Sequence, residues 1–285
     1  MNFRKVKTSN FARRGFGETT PKTRIAVSRA LAAAMVAQRA GREAPATGKR
    51  AGIVDRRSLT RVAVGDGRIF KTRSSASVTR TRFVVILDCS GSMNGERFIN
   101  AAQSVWDIFT AASLIPTARA EVWVHTTGSQ YLLQRDAGVQ TPSVRPEEDE
   151  VVLVSQVASR GTTVAEYTES LRYIELSGNM DGYALEIIDA ECAKTALSGE
   201  RTVYVMVSDG QPAYAEGRMV GMRHTKGVID GLRRKGRVVM SVSVASALDP
   251  RTQREMYGTS GVVRYDADSS VLIRSFAKAA AEHLR

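Results

Sequence analysis

The sequence predicts an α/β fold: a doubly wound, mostly parallel sheet flanked by helices, with a basic N-terminal extension. Two apolar runs carry most of that expectation. Phe83–Leu87 and Thr202–Val207 lack a polar face, as central strands covered on both sides require. Each run stops abruptly at an acid, Asp88 in one case and Ser208-Asp209-Gly210 in the other. The third observation is alternation. From residue 82 onward, segments of helical period separate short strand-like runs, the pattern of βαβ units. At 285 residues and 43% hydrophobic, the chain can fill one such core and still carry an extension.

In chain order, residues 1–50 form a basic extension and linker. They start without an apolar period and read as disordered when alone. A helix is expected from Pro21 to Arg39, and Gly41, Pro45 and Gly48 mark a linker. Residues 51–81 precede the domain, with Leu59–Val64 and Arg68–Arg73 expected as a β-hairpin around Gly65-Asp66-Gly67. The domain proper spans 82–285. After the first strand, Phe98, Ala101, Ala102, Val105, Phe109 and Ala112 recur at helical spacing, and Trp106 reads as packing. Ala120–His125 is the next strand, Tyr131–Gln134 a short edge partner, 137–150 a loop and Val151–Val154 a further strand. Helices follow over Thr163–Leu176 and Tyr183–Leu197, the second feeding the strand that ends at Asp209. Then come a helix over Met219–Lys235, a strand over Arg237–Val244, a short helix near 250–257 and a strand over Val262–Tyr265. A last helix, capped near Asp268 or Ser269, uses Leu272, Ile273, Phe276, Ala280 and Leu284.

Charge divides the chain in the same way. Residues 1–82 hold 20 Lys+Arg against 4 Asp+Glu, a balance of +16, whereas the remainder holds 21 against 25, or −4. The basic arm suits an acidic protein partner or nucleic acid, or is a solvated tail. Two cysteines, Cys89 and Cys192, make no disulfide framework and read as reduced thiols. No run of about 18 apolar residues marks a membrane span. Ile25–Ala37 begins late for a signal peptide and is broken by Arg29, so a cytoplasmic location and no membrane contact are expected. There is no Gly-x-x-x-x-Gly-Lys-[Ser/Thr], so ATP hydrolysis by this chain is not expected.

The chemistry gathers at Asp88. Open α/β sheets bind ligands at the C-terminal ends of their strands. Ser90 and Ser92, with Gly91 allowing a bend, can aim their oxygens at the spot the Asp88 carboxylate faces. One carboxylate and two hydroxyls are hard ligands suited to Mg²⁺, Mn²⁺ or Ca²⁺. The competing reading is a turn that caps the following helix. Asp209, at the end of a second buried strand, adds another carboxylate at the same sheet edge. No nucleophile or general base stands beside them, and His125, His224 and His283 are scattered, so binding outranks catalysis.

Asp88-x-Ser90-x-Ser92 followed by Ser208-Asp209-Gly210 resembles the metal-ion-dependent adhesion site of von Willebrand factor type A (VWA) domains, over roughly residues 82–285. Within that family, Gly178-Asn179-Met180-Asp181-Gly182-Tyr183-Ala184-Leu185, Met206–Pro212 and Val54–Val62 are similar to the T subunit of aerobic cobaltochelatase (CobT-like). The resemblance implies that Asp88, Ser90 and Ser92 hold a metal ion directly, with Asp209 often acting through water. The family's metal-binding threonine has no counterpart in this motif. Asp181 or Asn179 could supply the missing oxygen, with Thr162 and Thr163 as alternatives; Asp181 could instead be a helix N-cap. The resemblance further implies a non-catalytic adaptor that binds a client's exposed Asp or Glu and works with a AAA+ ATPase ring, MoxR-like or CobS-like. A cobalt or magnesium chelatase subunit proper, or a nucleic-acid-binding protein acting through the arm, are the alternatives.

Overall fold

The computed structural model describes residues 80–129, 141–143, 150–172, 174–209, 212, 214, 217–244, 250–258 and 262–265. It also describes residues 4–5, 53–54, 56, 59–60, 62, 66 and 68–71 of the N-terminal segment. The helices expected over 21–39 and from 268 onward, and the edge strand expected at 131–134, lie outside the described residues.

One seven-stranded sheet organises the domain. Its strands are β1 (Thr81–Asp88), β2 (Ala118–Ser129), β3 (Thr141–Ser143), β4 (Glu150–Ala158), β5 (Arg201–Ser208), β6 (Val238–Val244) and β7 (Val262–Tyr265). They lie in the order β7-β6-β5-β1-β2-β4-β3. The five strands from β7 to β2 run parallel, and β4 returns antiparallel to β2. Among the described residues five α-helices accompany them: α1 (Glu96–Ser113), α2 (Val164–Arg172), α3 (Asp181–Lys194), α4 (Arg218–Arg234) and α5 (Pro250–Tyr257). The expected doubly wound, mostly parallel α/β architecture is the one observed.

The reason β1 needs no polar face is visible in its packing. All eight of its residues are buried. Phe83, Val85 and Leu87 point to the layer of Phe98, Ala102, Val105 and Phe109 on α1. Val84 and Ile86 point the other way, to Ala184, Leu185 and Ile188 of α3 and Ile229 and Leu232 of α4. A strand alternates its side chains between faces, so two covered faces demand an unbroken apolar run. Trp106 packs as expected, stacked on Tyr167 with ring centroids 5.1 Å apart.

Local differences from the sequence reading have physical causes. The segment 137–150 is not all loop: Thr141–Ser143 pairs antiparallel with β4, which runs four residues past the expected Val154. Thr, Pro and Ser give little strand signal, and Pro142 is tolerated because β3 is the edge. The helix expected to reach Leu176 stops at Arg172, and Glu175–Leu176 instead pairs with Arg4–Lys5. The hairpin ahead of the domain pairs Phe70–Lys71 with Ile53–Val54, while Leu59 and Thr60 lie in a 3-10 turn. The strand on the Phe70 side was expected there; its partner lies further back in the chain.

At the end of the sheet opposite Asp88, β1 and β2 carry a buried ion pair. Arg82 Nε and Nη2 donate to Glu121 Oε1 and Oε2 at 2.9 and 2.8 Å, and Nη1 donates to the Cys192 carbonyl at 2.6 Å. Trp123 Nε1 and Cys192 Sγ also donate to Glu121 Oε1. Cys89 and Cys192 are both buried free thiols.

Candidate metal centre

β1 has β2 on one side and β5 on the other, so the chain's progression across the sheet reverses at β1. Such a switch point opens a crevice at the strand's C-terminal end, and Asp88 is the last residue of β1. Its carboxylate is fully buried. Asp88 Oδ1 accepts the Ser90 backbone N–H at 2.8 Å, while Oδ2 accepts Asn179 Nδ2 at 2.8 Å and the Ser208 hydroxyl at 2.9 Å. The hydroxyls of Ser90 and Ser92 lie 3.0 Å apart; Ser90 is buried and Ser92 is exposed. Together they form a rim through which the centre faces solvent.

Asp88 does not cap the next helix. Residue Gly95, with φ 84°, occupies the N-cap position of α1, and no side chain bonds there. Only glycine enters that left-handed region without strain. The Asx-type bond from Ser90 N–H instead turns the chain so that Ser90 and Ser92 share one side.

Asp209 follows β5, on the strand beside β1, and is fully buried. Burial, then the charge of Asp209, pushes the Asp88 carboxyl up to about 7, against the hydrogen bonds from Ser208 and Ser90. Asp181 opens α3 and is fully buried as well. It does not act as a cap: Met180 holds that position, and neither Asp181 oxygen meets hydrogen-bond geometry with a described residue, although the Asn179 side chain stands close enough to favour the carboxylate. Burial, then the charges of Asp88 and Asp209, raises its carboxyl well above the usual range. The structure therefore brings Asp88, Asp181 and Asp209 into one electrostatic neighbourhood.

Asn179 is buried beside them, and as placed it donates to Asp88 through Nδ2. Its loop is tied to the Asp88 loop by an extra bridge. Gly91 N–H donates to the Ser177 carbonyl at 2.5 Å, and Ser177 N–H donates to the Cys89 carbonyl at 3.2 Å. Gly178 N–H donates to Thr127 Oγ1 at 2.9 Å, so close that a Cβ on Gly178 would overlap that hydroxyl. Thr162 and Thr163 serve another purpose. Thr163 and Glu166 form a reciprocal capping box at the start of α2, and Thr162 Oγ1 accepts the Ser159 N–H at 3.0 Å.

Sequence reasoning passed over several members of the centre. His125 stands opposite Asp88 in the β1–β2 register and is fully buried. Its Nε2 lies 3.4 Å from Asp181 Oδ1, and burial lowers its pKa to about 4, so the ring is neutral. The signal was present: Glu121–His125 ends an apolar run with a polar residue, as Val84–Asp88 does. The Tyr257 phenol is buried and pushed well up by burial, then by Asp181 and Asp88. Tyr214 donates to or accepts from His224 Nδ1 at 2.7 Å and packs against Gly182, where a Cβ would overlap His224.

These residues fit a divalent ion. A set of buried carboxylates whose charges oppose one another, one of them with two orphaned oxygens, is the electrostatic setting that a cation relieves. Among the described residues, no three or more His, Cys, Asp or Glu side chains are ready-made as a cage. An ion here would therefore draw on hydroxyls and water as well as carboxylates.

No helix among the described residues is long and apolar enough to cross a membrane. The sequence matches no protein-family model and no curated protein. Among solved structures, manganese-loaded TRAP protein of Plasmodium vivax aligns at 10% identity and TM-score 0.45, covering 69% of this chain and 72% of that one. The pilus adhesin SpaC from Lactobacillus rhamnosus GG, in its open conformation, aligns at 12% identity and TM-score 0.49 over 75% of this chain, which spans 31% of the adhesin. A von Willebrand factor type A protein from Catenulispora acidiphila aligns at 16% identity and TM-score 0.40, covering 75% of this chain and 44% of that one.

Proposed function

We propose that this chain is a VWA-like binding module that holds a divalent ion at the Asp88 edge of its sheet and uses it to take a carboxylate from a protein partner. One observation carries the reading: Asp88, Asp181 and Asp209 are buried and mutually repelling at the switch point, beneath a rim of two hydroxyls 3.0 Å apart. Asp88, Ser90 and Ser92 would hold the ion, with Asp209 and Asp181 supplying charge directly or through water. Asn179 and Ser208 fix the Asp88 carboxylate by donating to Oδ2. The bound ion would act as a Lewis acid with a position open to an incoming Asp or Glu, and Mg²⁺ or Mn²⁺ suits the oxygen-rich set. The exposed side of Ser92 is where that carboxylate arrives.

The finer reading is a CobT-like adaptor in the cytoplasm. A AAA+ ATPase ring turns over nucleotide while this chain grips the client through the ion. It rests on the Asn179-Met180-Asp181-Gly182 segment, which stands beside Asp88 and opens α3. Calorimetry with Mg²⁺ and Mn²⁺ on the wild type and Asp88→Ala tests the site, and equal affinity for both proteins would overturn it. A pull-down of a MoxR-like or CobS-like ring, with and without chelator, tests the adaptor role. The arm makes a distinct contribution: its +16 balance would give salt-sensitive binding to an acidic partner or nucleic acid, whereas the ion bridge would yield to chelator.

A further inference from the structure

His125 and Asp181 form the least expected pair in the centre. Both are fully buried, they approach each other across two different elements, and no polar atom of either side chain meets hydrogen-bond geometry with a described residue, although the Asn179 side chain stands close enough to Asp181 to favour its carboxylate. Buried polar groups are ordinarily satisfied, so two adjacent orphans on facing side chains call for a common partner. The separation fits one. At metal–ligand bonds of about 2.1 Å, neighbouring ligands stand roughly 3.0 Å apart in octahedral geometry and roughly 3.4 Å apart in tetrahedral geometry. His125 Nε2 and Asp181 Oδ1 are 3.4 Å apart. A neutral imidazole has one nitrogen lone pair to give to an ion.

We infer that His125 Nε2 and Asp181 Oδ1 are a ligand pair within the centre, and that this pair tunes it toward first-row transition ions that accept nitrogen, such as Co²⁺ or Zn²⁺, over Mg²⁺ and Ca²⁺. The inference deepens the metal-binding reading and rests on it. An all-oxygen set of carboxylates and hydroxyls suits hard ions, whereas one imidazole shifts affinity along the Irving–Williams order. The register explains how His125 is placed. It stands directly opposite Asp88 in the parallel β1–β2 ladder, and its backbone carbonyl accepts the Cys89 N–H at 2.9 Å. The imidazole is thus pinned at the depth of the carboxylates. The competing account is a dry histidine–carboxylic acid pair, with a proton shared between Nε2 and Oδ1 and no ion.

The experiment titrates the full chain with Co²⁺, Zn²⁺ and Mg²⁺, comparing wild type, His125→Gln, Asp181→Asn and Asp88→Ala. Circular dichroism and thermal melting identify any variant that fails to fold. Cobalt-loaded wild type should show a strongly shifted imidazole proton resonance in paramagnetic NMR, and His125→Gln should lose it. His125→Gln should also lower the ratio of Co²⁺ to Mg²⁺ affinity by about tenfold or more, as expected for a lost ligand. If His125→Gln does not fold, the NMR signature and its loss in Asp181→Asn decide the question. Binding that depends on Asp88, with no shifted imidazole signal and an unchanged metal ratio, would overturn the His125 assignment and leave the carboxylate reading standing. Absence of binding by any of the three ions would overturn both.

Discussion

Replacing Asp88 with asparagine should stabilise the metal-free protein, and the gain should grow with pH. Burial and the charge of Asp209 raise the Asp88 carboxyl from 3.8 to about 7. Because the folded value lies above the unfolded one, the folded state holds a proton that the unfolded state releases between about pH 4 and pH 7. Wild-type stability therefore falls as pH rises through that window and levels off above it. At 1.36 kcal/mol per unit, the penalty is about 2 kcal/mol at pH 5 and about 4 kcal/mol at pH 8. Asparagine keeps the shape and carries no such penalty. Its amide loses one acceptor opposite Asn179 Nδ2 and Ser208 Oγ, a cost of about 1–3 kcal/mol that does not vary with pH. The informative quantity is thus the slope: the stability of Asp88→Asn relative to wild type should rise by about 2–3 kcal/mol between pH 5 and pH 8. Urea unfolding in chelator at several pH values measures it. Excess Mg²⁺ or Mn²⁺ should then reverse the order, since an ion at 100 times its Kd adds about 2.7 kcal/mol to the wild type and little to the variant. A difference that stays flat with pH would refute the claim that Asp88 is a buried charge awaiting an ion.

Removing one partner of the Arg82–Glu121 pair should be far worse than removing both. Arg82→Ala strands Glu121 in the interior at a cost of about 3–5 kcal/mol, while Arg82→Met with Glu121→Leu should recover most of it, as read by thermal denaturation. Gly178→Ala forces a methyl into Thr127 Oγ1 and should cost about 1–3 kcal/mol, and pairing it with Thr127→Ala should restore stability. Thr163→Ala should lose about 1 kcal/mol from the α2 cap and leave metal affinity unchanged in calorimetry, whereas a fall in affinity would return Thr163 to the ligand set.

The strands and the acids at their ends were legible because both follow from local pattern. An unbroken apolar run ending at Asp88 or Asp209 states burial on two faces and a polar strand end in the same few residues. The helix over 96–113 was equally plain, since its buried positions repeat at helical spacing. His125 was only half legible: a polar residue closing an apolar run marks a strand end, but its place in the site depends on the β1–β2 register, and nothing near position 125 specifies which residue of another strand it will face. Asp181 read equally well as a cap and as a ligand. Only the location of Met180 at the cap, with both Asp181 oxygens left over, separates the two. The β3 edge at Thr141–Ser143 was missed for a different reason: a three-residue edge strand containing proline carries almost no compositional signal.

The two bonds joining Ser177 to the Cys89–Gly91 turn make the loops of β1 and α3 a single mechanical piece. A load applied at Ser92 cannot be absorbed by its own turn, because Gly91 would have to drag Ser177 with it or break the bridge. Ser177 lies four residues before Asp181, where α3 begins, and α3 rests along α4 through Leu185 and Ile229. The rim and the start of α3 are therefore linked by a short run of backbone that both hydrogen bonds hold. A carboxylate taken at the rim, as proposed above, would thereby be joined to the start of α3 through Gly91 and Ser177 as well as through the centre itself.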